Sequence, residues 1–251
     1  MKLPKVIAHR GGARRTPENT LSGFVRSVEL GVDGVEFDVH RCASGELVVI
    51  HDDDLQRTTN GVGLVKESSY AELSRLSAGK WFAPEFAAEK VPLLSEVLAV
   101  LDENMLIDIE IKNTPVGYPG IEEDLLQALD GYAHRANVVV SSFDHHFLGR
   151  LRALDDTVGI GVLAAAMLLD AGAYAQRLSA TYYINAFDCL LPEAVAEAQA
   201  AGLTVVAWTL NHSREWAEAM RFGVDAIVTD DPDALKAWLA TTGASLAAGA
   251  A

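Results

Sequence analysis

Apolar and polar residues alternate in two rhythms along this chain. In Val35-Glu36-Phe37-Asp38-Val39 and Ile107-Asp108-Ile109-Glu110-Ile111-Lys112 they change places at every step, the period of an extended strand. Elsewhere, as over 17–30, 93–101, 192–201 and 213–222, apolar positions recur every three or four residues, the period of a helix with one buried face. Strands are predicted over 5–9, 34–40, 105–112, 137–141, 158–162, 182–186, 203–208 and 225–229. Thr16 is placed to N-cap a first helix that starts at Pro17, and Gly31 to end it; Gly202 and Gly223 end later helices in the same way.

Strands that alternate with amphipathic helices form parallel βαβ units, and about eight of them in 251 residues match a TIM-type (β/α)8 barrel. The α/β reading is a single domain over 1–240. Residues 46–91 break the rhythm with an extra strand-like run at 47–50 and a turn-rich stretch, which predicts a small insertion after the second strand, on the barrel rim. The segment 241–251 is rich in Ala, Gly and Ser and is expected to fray.

Composition narrows the partners. The net charge of −15 opposes an extended contact with nucleic acid or with anionic lipid headgroups, so neither nucleic acid nor stable membrane association is expected. Small anions are not excluded, because a local cluster of cations or a metal ion overrides the global field within its own cleft. No segment approaches the ~20 apolar residues of a membrane span, and the first residues lack the apolar run of a signal peptide, so a cytoplasmic protein is expected. Cys42 and Cys189 have no CxxC spacing and are expected to be reduced, partly buried thiols.

The alternation aims charges at the barrel interior. Glu36 and Asp38 share one face of their strand, as do Asp108, Glu110 and Lys112 of theirs. Several kcal/mol per buried carboxylate must be compensated. Glu36, Asp38 and Glu110 at the barrel mouth form an all-oxygen set suited to one hard divalent cation, Mg2+ or Ca2+; zinc favours His or Cys. The competing reading is a salt-bridge network with Lys112 and Arg10. Asp108 lies deeper and is assigned to internal pairing.

His9-Arg10-Gly11-Gly12 closes the first strand, and His51 follows the run 48–50, so two imidazoles are expected to flank the acids. Such a pair suits general acid–base cleavage of a phosphodiester, with Arg10 and Lys112 on the phosphate oxygens. Phe143 and Trp208 stand at strand ends and wall the pocket or pack in the core. Glu18 and Asn19, read as part of the first helical turn, are expected to steady the loop that carries His9. His145 and His146 are read as solvated.

Together these residues resemble the glycerophosphodiester phosphodiesterase family. The resemblance is carried by His9-Arg10-Gly11, Pro17-Glu18-Asn19-Thr20, Glu36-Phe37-Asp38-Val39, His51-Asp52 with Arg57-Thr58-Thr59, Ile109-Glu110-Ile111-Lys112, Ser141-Ser142-Phe143, Trp208-Thr209-Leu210-Asn211 and Thr229-Asp230-Asp231-Pro232. It spans nearly the whole chain. It implies a TIM barrel with an insertion after the second strand, a divalent cation on Glu36, Asp38 and Glu110, His9 and His51 as acid and base, and Arg10 and Lys112 on the phosphate. The implied reaction turns a glycerophosphodiester into sn-glycerol 3-phosphate and an alcohol, by way of a cyclic phosphate if the glycerol hydroxyl attacks first. Two rivals remain. One is a metal hydrolase of another class on the same fold, which typically shows His-x-His after the first strand where this chain has His9-Arg10-Gly11. The other is a barrel that binds phosphorylated small molecules without turnover, against which the intact His9 and His51 argue.

Overall fold

The computed structural model describes residues 2–249, with side chains described as far as 242. Eight parallel strands close on themselves: β1 (Lys5–His9), β2 (Gly34–Arg41), β4 (Leu106–Ile111), β5 (Val138–Ser142), β6 (Gly159–Ala164), β7 (Tyr182–Ala186), β8 (Thr204–Trp208) and β9 (Ala226–Thr229). β9 pairs with β1, and β1 with β2, which completes the barrel. The helices between them are α1 (Leu21–Leu30), α2 (Tyr70–Leu73), α3 (Leu94–Val100), α4 (Ile121–Leu129), α5 (His145–Leu154), α6 (Ala171–Gln176), α7 (Pro192–Ala200), α8 (Ser213–Phe222) and α9 (Pro232–Gly249). α9 continues past 240 through most of the segment read as a tail, and 250–251 lie outside the described residues.

The strand alternation sorts side chains into two cores. Ile107, Ile109 and Ile111 are at most 1% exposed and join one cluster with the inner faces of α3, α4 and α5; each contributes roughly 1.5–3 kcal/mol by leaving water. On the opposite side of the strands, Ile7, Leu163, Ile184, Val206, Ala226 and Val228 fill the barrel floor. Packing there is close enough to require glycine at 34, where a Cβ would stand 2.6 Å from the Leu106 carbonyl oxygen and 2.8 Å from Ile7 Cδ1.

β2 outruns its neighbour. β1 covers only Gly34 to Glu36, and the exposed edge from Val39 to Arg41 is taken by the antiparallel β3 (Leu47–Val49). The insertion that follows has its own small core, in which Val48, Ile50, Leu55, Val65, Leu73 and Val91 meet. Because Ile50 N–H donates to the Asp38 carbonyl at 3.0 Å, the next residue, His51, is delivered to the barrel mouth.

The first helix corrects the sequence reading. α1 starts at Leu21 with Thr20 in the N-cap position, not at Pro17. Asn19 has φ of 57°, which a helix cannot accommodate, and Thr16 is spent on the Gly12 carbonyl within the loop. Gly31 and Gly223 end their helices in the left-handed conformation, and Gly202, with φ of 87°, does the same one residue after Ala201, the cap of α7.

Candidate active site

The in-register pairing of β2 with β4 sets Glu36 beside Asp108 and Asp38 beside Glu110. One oxygen each from Glu36, Asp38 and Glu110 lie within 4.8 Å of one another, and all three residues are buried. Lys112 reaches Glu110 Oε1 at 2.6 Å and Asp38 Oδ1 at 3.0 Å, and Arg10 Nε stands 3.4 Å from Asp38 Oδ2. Asn19 donates to Asp38 Oδ2 at 2.8 Å. The salt-bridge network and the acid cluster therefore coexist.

The network does not neutralise the cluster. Burial, then the neighbouring Asp38, Glu110 and Asp108 charges, pushes Glu36 well above the usual carboxylate range. Burial and Asp38 likewise push Glu110 up to about 7 despite Lys112. Asp38 behaves oppositely: burial raises it, but Lys112, Arg10 and His51 outweigh that and hold it ionised. Its buried Oδ1 has Lys112 as an ionic neighbour but no aligned hydrogen-bond donor. Three convergent oxygens, surplus negative charge and an unsatisfied acceptor fit a hard divalent cation. Asp108, deeper, is pushed up to about 7 chiefly by burial and accepts from Ser141 Oγ at 2.7 Å, in keeping with internal pairing.

Both imidazoles reach this cluster, each held by a carboxylate at Nδ1. His9 Nδ1 is 2.5 Å from Asp230 Oδ1, and its Nε2 is 3.7 Å from Glu36. His51 Nδ1 is 2.6 Å from Asp52 Oδ1. Asp230 is fixed by Asn211, whose Nδ2 donates to Oδ2 at 2.6 Å and whose Oδ1 accepts from the Asp230 amide at 2.9 Å. Behind His51, the buried His40 bridges the Tyr118 hydroxyl at 2.8 Å and the His51 carbonyl at 3.0 Å. Burial lowers the His51 pKa against the raising effect of Asp38.

Arg10 opens a left-handed run, with φ of 51° before 77° at Gly11 and 89° at Gly12. Such a value is uncommon for a residue with a Cβ, and the Arg10 carbonyl is pinned by the amide of Asn19, itself at positive φ, at 2.9 Å. The turn brings the Arg10 amide to Glu36 Oε2 at 3.2 Å and its guanidinium to Glu18 Oε1 at 2.8 Å. Glu18 and Asn19 thus do more than steady the loop, since both contact charged side chains of the cluster.

A cavity of about 140 Å³ is lined by polar side chains, among them His9, Arg10, Glu36, His51, Glu110 and Lys112, and by the apolar Phe143, Leu163, Ile184, Trp208 and Val228. Phe143 stacks edge-on against Trp208, with centroids 5.9 Å apart at 77°, so both stand in the wall. Of the residues assigned to the site from the sequence, all but Asp38 line this cavity, and Asp38 lies against two of them, Arg10 and Lys112. His145 does not match its reading as solvated: it lies between the Tyr174 hydroxyl and the Leu163 carbonyl, both at 2.7 Å, because α5 begins directly over β6. His146 is exposed. The orienting residues Asp230, Asn211 and Asp52 had no role assigned, although each lies in a quoted motif just beyond a strand; a pattern of polar residues at strand ends is the signal that marks them.

The chain is similar to known proteins over nearly its whole length. The model of the glycerophosphoryl diester phosphodiesterase family matches residues 9–234. A glycerophosphodiester phosphodiesterase of Caldanaerobacter subterraneus is 40% identical over 235 residues, covering 92% of this chain and 95% of the relative. One from Bacillus altitudinis is 36% identical over 235 residues, with 92% and 96% covered. Among solved structures, an Oleispira antarctica phosphodiesterase in complex with the product sn-glycerol-3-phosphate superposes with a TM-score of 0.87 at 30% identity, covering 94% of this chain and 97% of that one. The chain belongs to the glycerophosphoryl diester phosphodiesterase family.

Proposed function

We propose that the protein hydrolyses glycerophosphodiesters to sn-glycerol 3-phosphate and an alcohol, with a divalent cation on Glu36, Asp38 and Glu110 and with His9 and His51 as the acid–base pair. The observation that carries this is the matched treatment of the two imidazoles. Each gives Nδ1 to a carboxylate, Asp230 or Asp52, which leaves Nε2 for chemistry at the cavity that both residues line. One imidazole removes the proton of the attacking oxygen while the other protonates the departing alkoxide, and the paired carboxylates keep both rings in the required tautomer. Arg10 and Lys112 hold phosphate oxygens. A bound cation, Mg2+ or Ca2+, supplies positive charge beside a non-bridging oxygen.

The apolar residues of the lining, Phe143 and Trp208 among them, take the carbon skeleton of the substrate. A singly charged diester needs no long basic groove, which accords with a net charge of −15. The product found in the Oleispira structure supports this substrate class. Among the described residues no helix is long and apolar enough to cross a membrane. The test is a panel of glycerophosphodiesters offered to metal-stripped protein, with each cation restored in turn. Chelator-sensitive release of glycerol 3-phosphate is expected; binding without turnover overturns the proposal.

A further inference from the structure

We propose that Arg57, supplied by the rim insertion, is a positioning residue that sets His51 and Arg10 together. Its guanidinium grips two carboxylates at once. Nε and one terminal nitrogen donate to Asp52 Oδ2 at 2.6 Å and Oδ1 at 3.0 Å, and the two terminal nitrogens donate to Glu18 Oε2 and Oε1, both at 2.8 Å. Each carboxylate also holds a residue that lines the cavity. Asp52 Oδ1 receives His51 Nδ1 at 2.6 Å, and Glu18 Oε1 receives Arg10 at 2.8 Å.

The result is one continuous chain of charge-assisted bonds: His51, Asp52, Arg57, Glu18, Arg10. It crosses between two segments that the backbone does not join, the loop after β1 and the insertion after β3, since Glu18 and Arg57 are 39 positions apart. An ordinary surface ion pair contributes little, and Arg57 is 44% exposed in its side chain. The difference lies in its partners: Glu18 is only 8% exposed, and without Arg57 it and Asp52 face each other as like charges. Both then turn away, and the imidazole and guanidinium they hold lose alignment. A lysine cannot replace the fork, because one ammonium cannot serve both carboxylates with paired bonds.

This inference rests on the hydrolytic reading above. The experiment is steady-state hydrolysis of a glycerophosphodiester by the metal-loaded full chain and its variants, with melting followed in parallel. In Arg57→Ala, kcat/KM is expected to fall by about 10- to 100-fold, the loss that accompanies misplacement of reacting groups by about 1 Å. Millimolar guanidinium is expected to restore part of it, and equal urea none; Arg57→Lys is expected to resemble the alanine variant. Asp52→Asn should act mainly on kcat through His51, and Glu18→Gln mainly on KM through Arg10. Parental kcat/KM, within about twofold, in either Arg57 variant overturns the proposal, as does a loss that follows a lowered melting point and ignores guanidinium. If the alanine variant does not fold, the lysine variant decides by the same criterion. A parent chain without chelator-sensitive turnover overturns both readings, whereas an active parent with unimpaired Arg57 variants overturns only this one.

Discussion

His9 and Asp230 stand 221 positions apart in the chain and share a 2.5 Å contact between Nδ1 and Oδ1. The pairing of β1 with β9 brings them together, each just at or beyond the end of its strand. Asp230→Asn is expected to keep the shape of the side chain while favouring the wrong imidazole tautomer. Steady-state assays should then show kcat falling by about 10²- to 10⁴-fold, the upper figure being the cost of the same change in a serine-protease triad. An unaltered kcat would remove Asp230 from the mechanism.

Replacing either imidazole tests the acid–base pair directly. His9→Ala and His51→Ala should each lower turnover by about 10²- to 10⁴-fold with little change in melting temperature. A variant that retains near-normal rates excludes that residue from proton transfer.

The acid cluster links metal, protons and stability. Glu110 rises from an ordinary 4.5 to about 7 and Asp108 from 3.8 to about 7, so the folded, metal-free protein holds protons that the unfolded chain releases. The stability that these protons contribute is complete below about pH 4 and is lost as pH rises through about 7. Melting points of metal-stripped protein should therefore fall in this contribution mainly between about pH 4 and pH 7 and level off above it. Added Mg2+ or Ca2+ should raise the melting point more at pH 8, where the ion displaces fewer protons. Glu36→Gln should abolish most of that gain, and an equal gain in this variant would argue against Glu36 as a ligand.

The aromatic wall gives a gentler prediction. Phe143 is 40% exposed and stacks on Trp208, so Phe143→Ala should leave melting nearly unchanged while raising KM by about 2- to 10-fold, the range of one aromatic contact. Equal KM values across a substrate panel would place the leaving group elsewhere.

The barrel floor sets a stability test. Gly34→Ala would place its Cβ 2.6 Å from the Leu106 carbonyl oxygen, and this overpacking should cost about 1–3 kcal/mol in denaturant unfolding. A neutral result would mean that β2 and β4 separate more easily than their packing suggests.

Much of this protein was legible in the order of its residues. Alternation in Val35–Val39 and in Ile107–Lys112 is enough to put acids on one face and aliphatic residues on the other, because successive side chains of a strand must oppose each other. Local chemistry was less dependable where the chain turns. Thr16 and Pro17 satisfy the composition of a helix start, yet the loop uses Thr16 to bond Gly12 and begins α1 four residues later, since Arg10 and Asn19 must first adopt left-handed backbone. His145 has the neighbours of a surface residue in sequence and gains its partners, the half-buried Tyr174 and the buried Leu163, only when α5 lies against β6.

The residue pattern by itself determined the strand and helix periods, the inward acids, the two imidazoles and the insertion, all of which depend on intervals of a few positions. Only the closed barrel decided that His9 would meet Asp230, that β3 would carry His51 to Asp38, and that Arg57 would join Glu18 to Asp52. Those contacts span tens to hundreds of residues. No short-range period encodes them; they follow from strand register and from the space left when the two cores are filled.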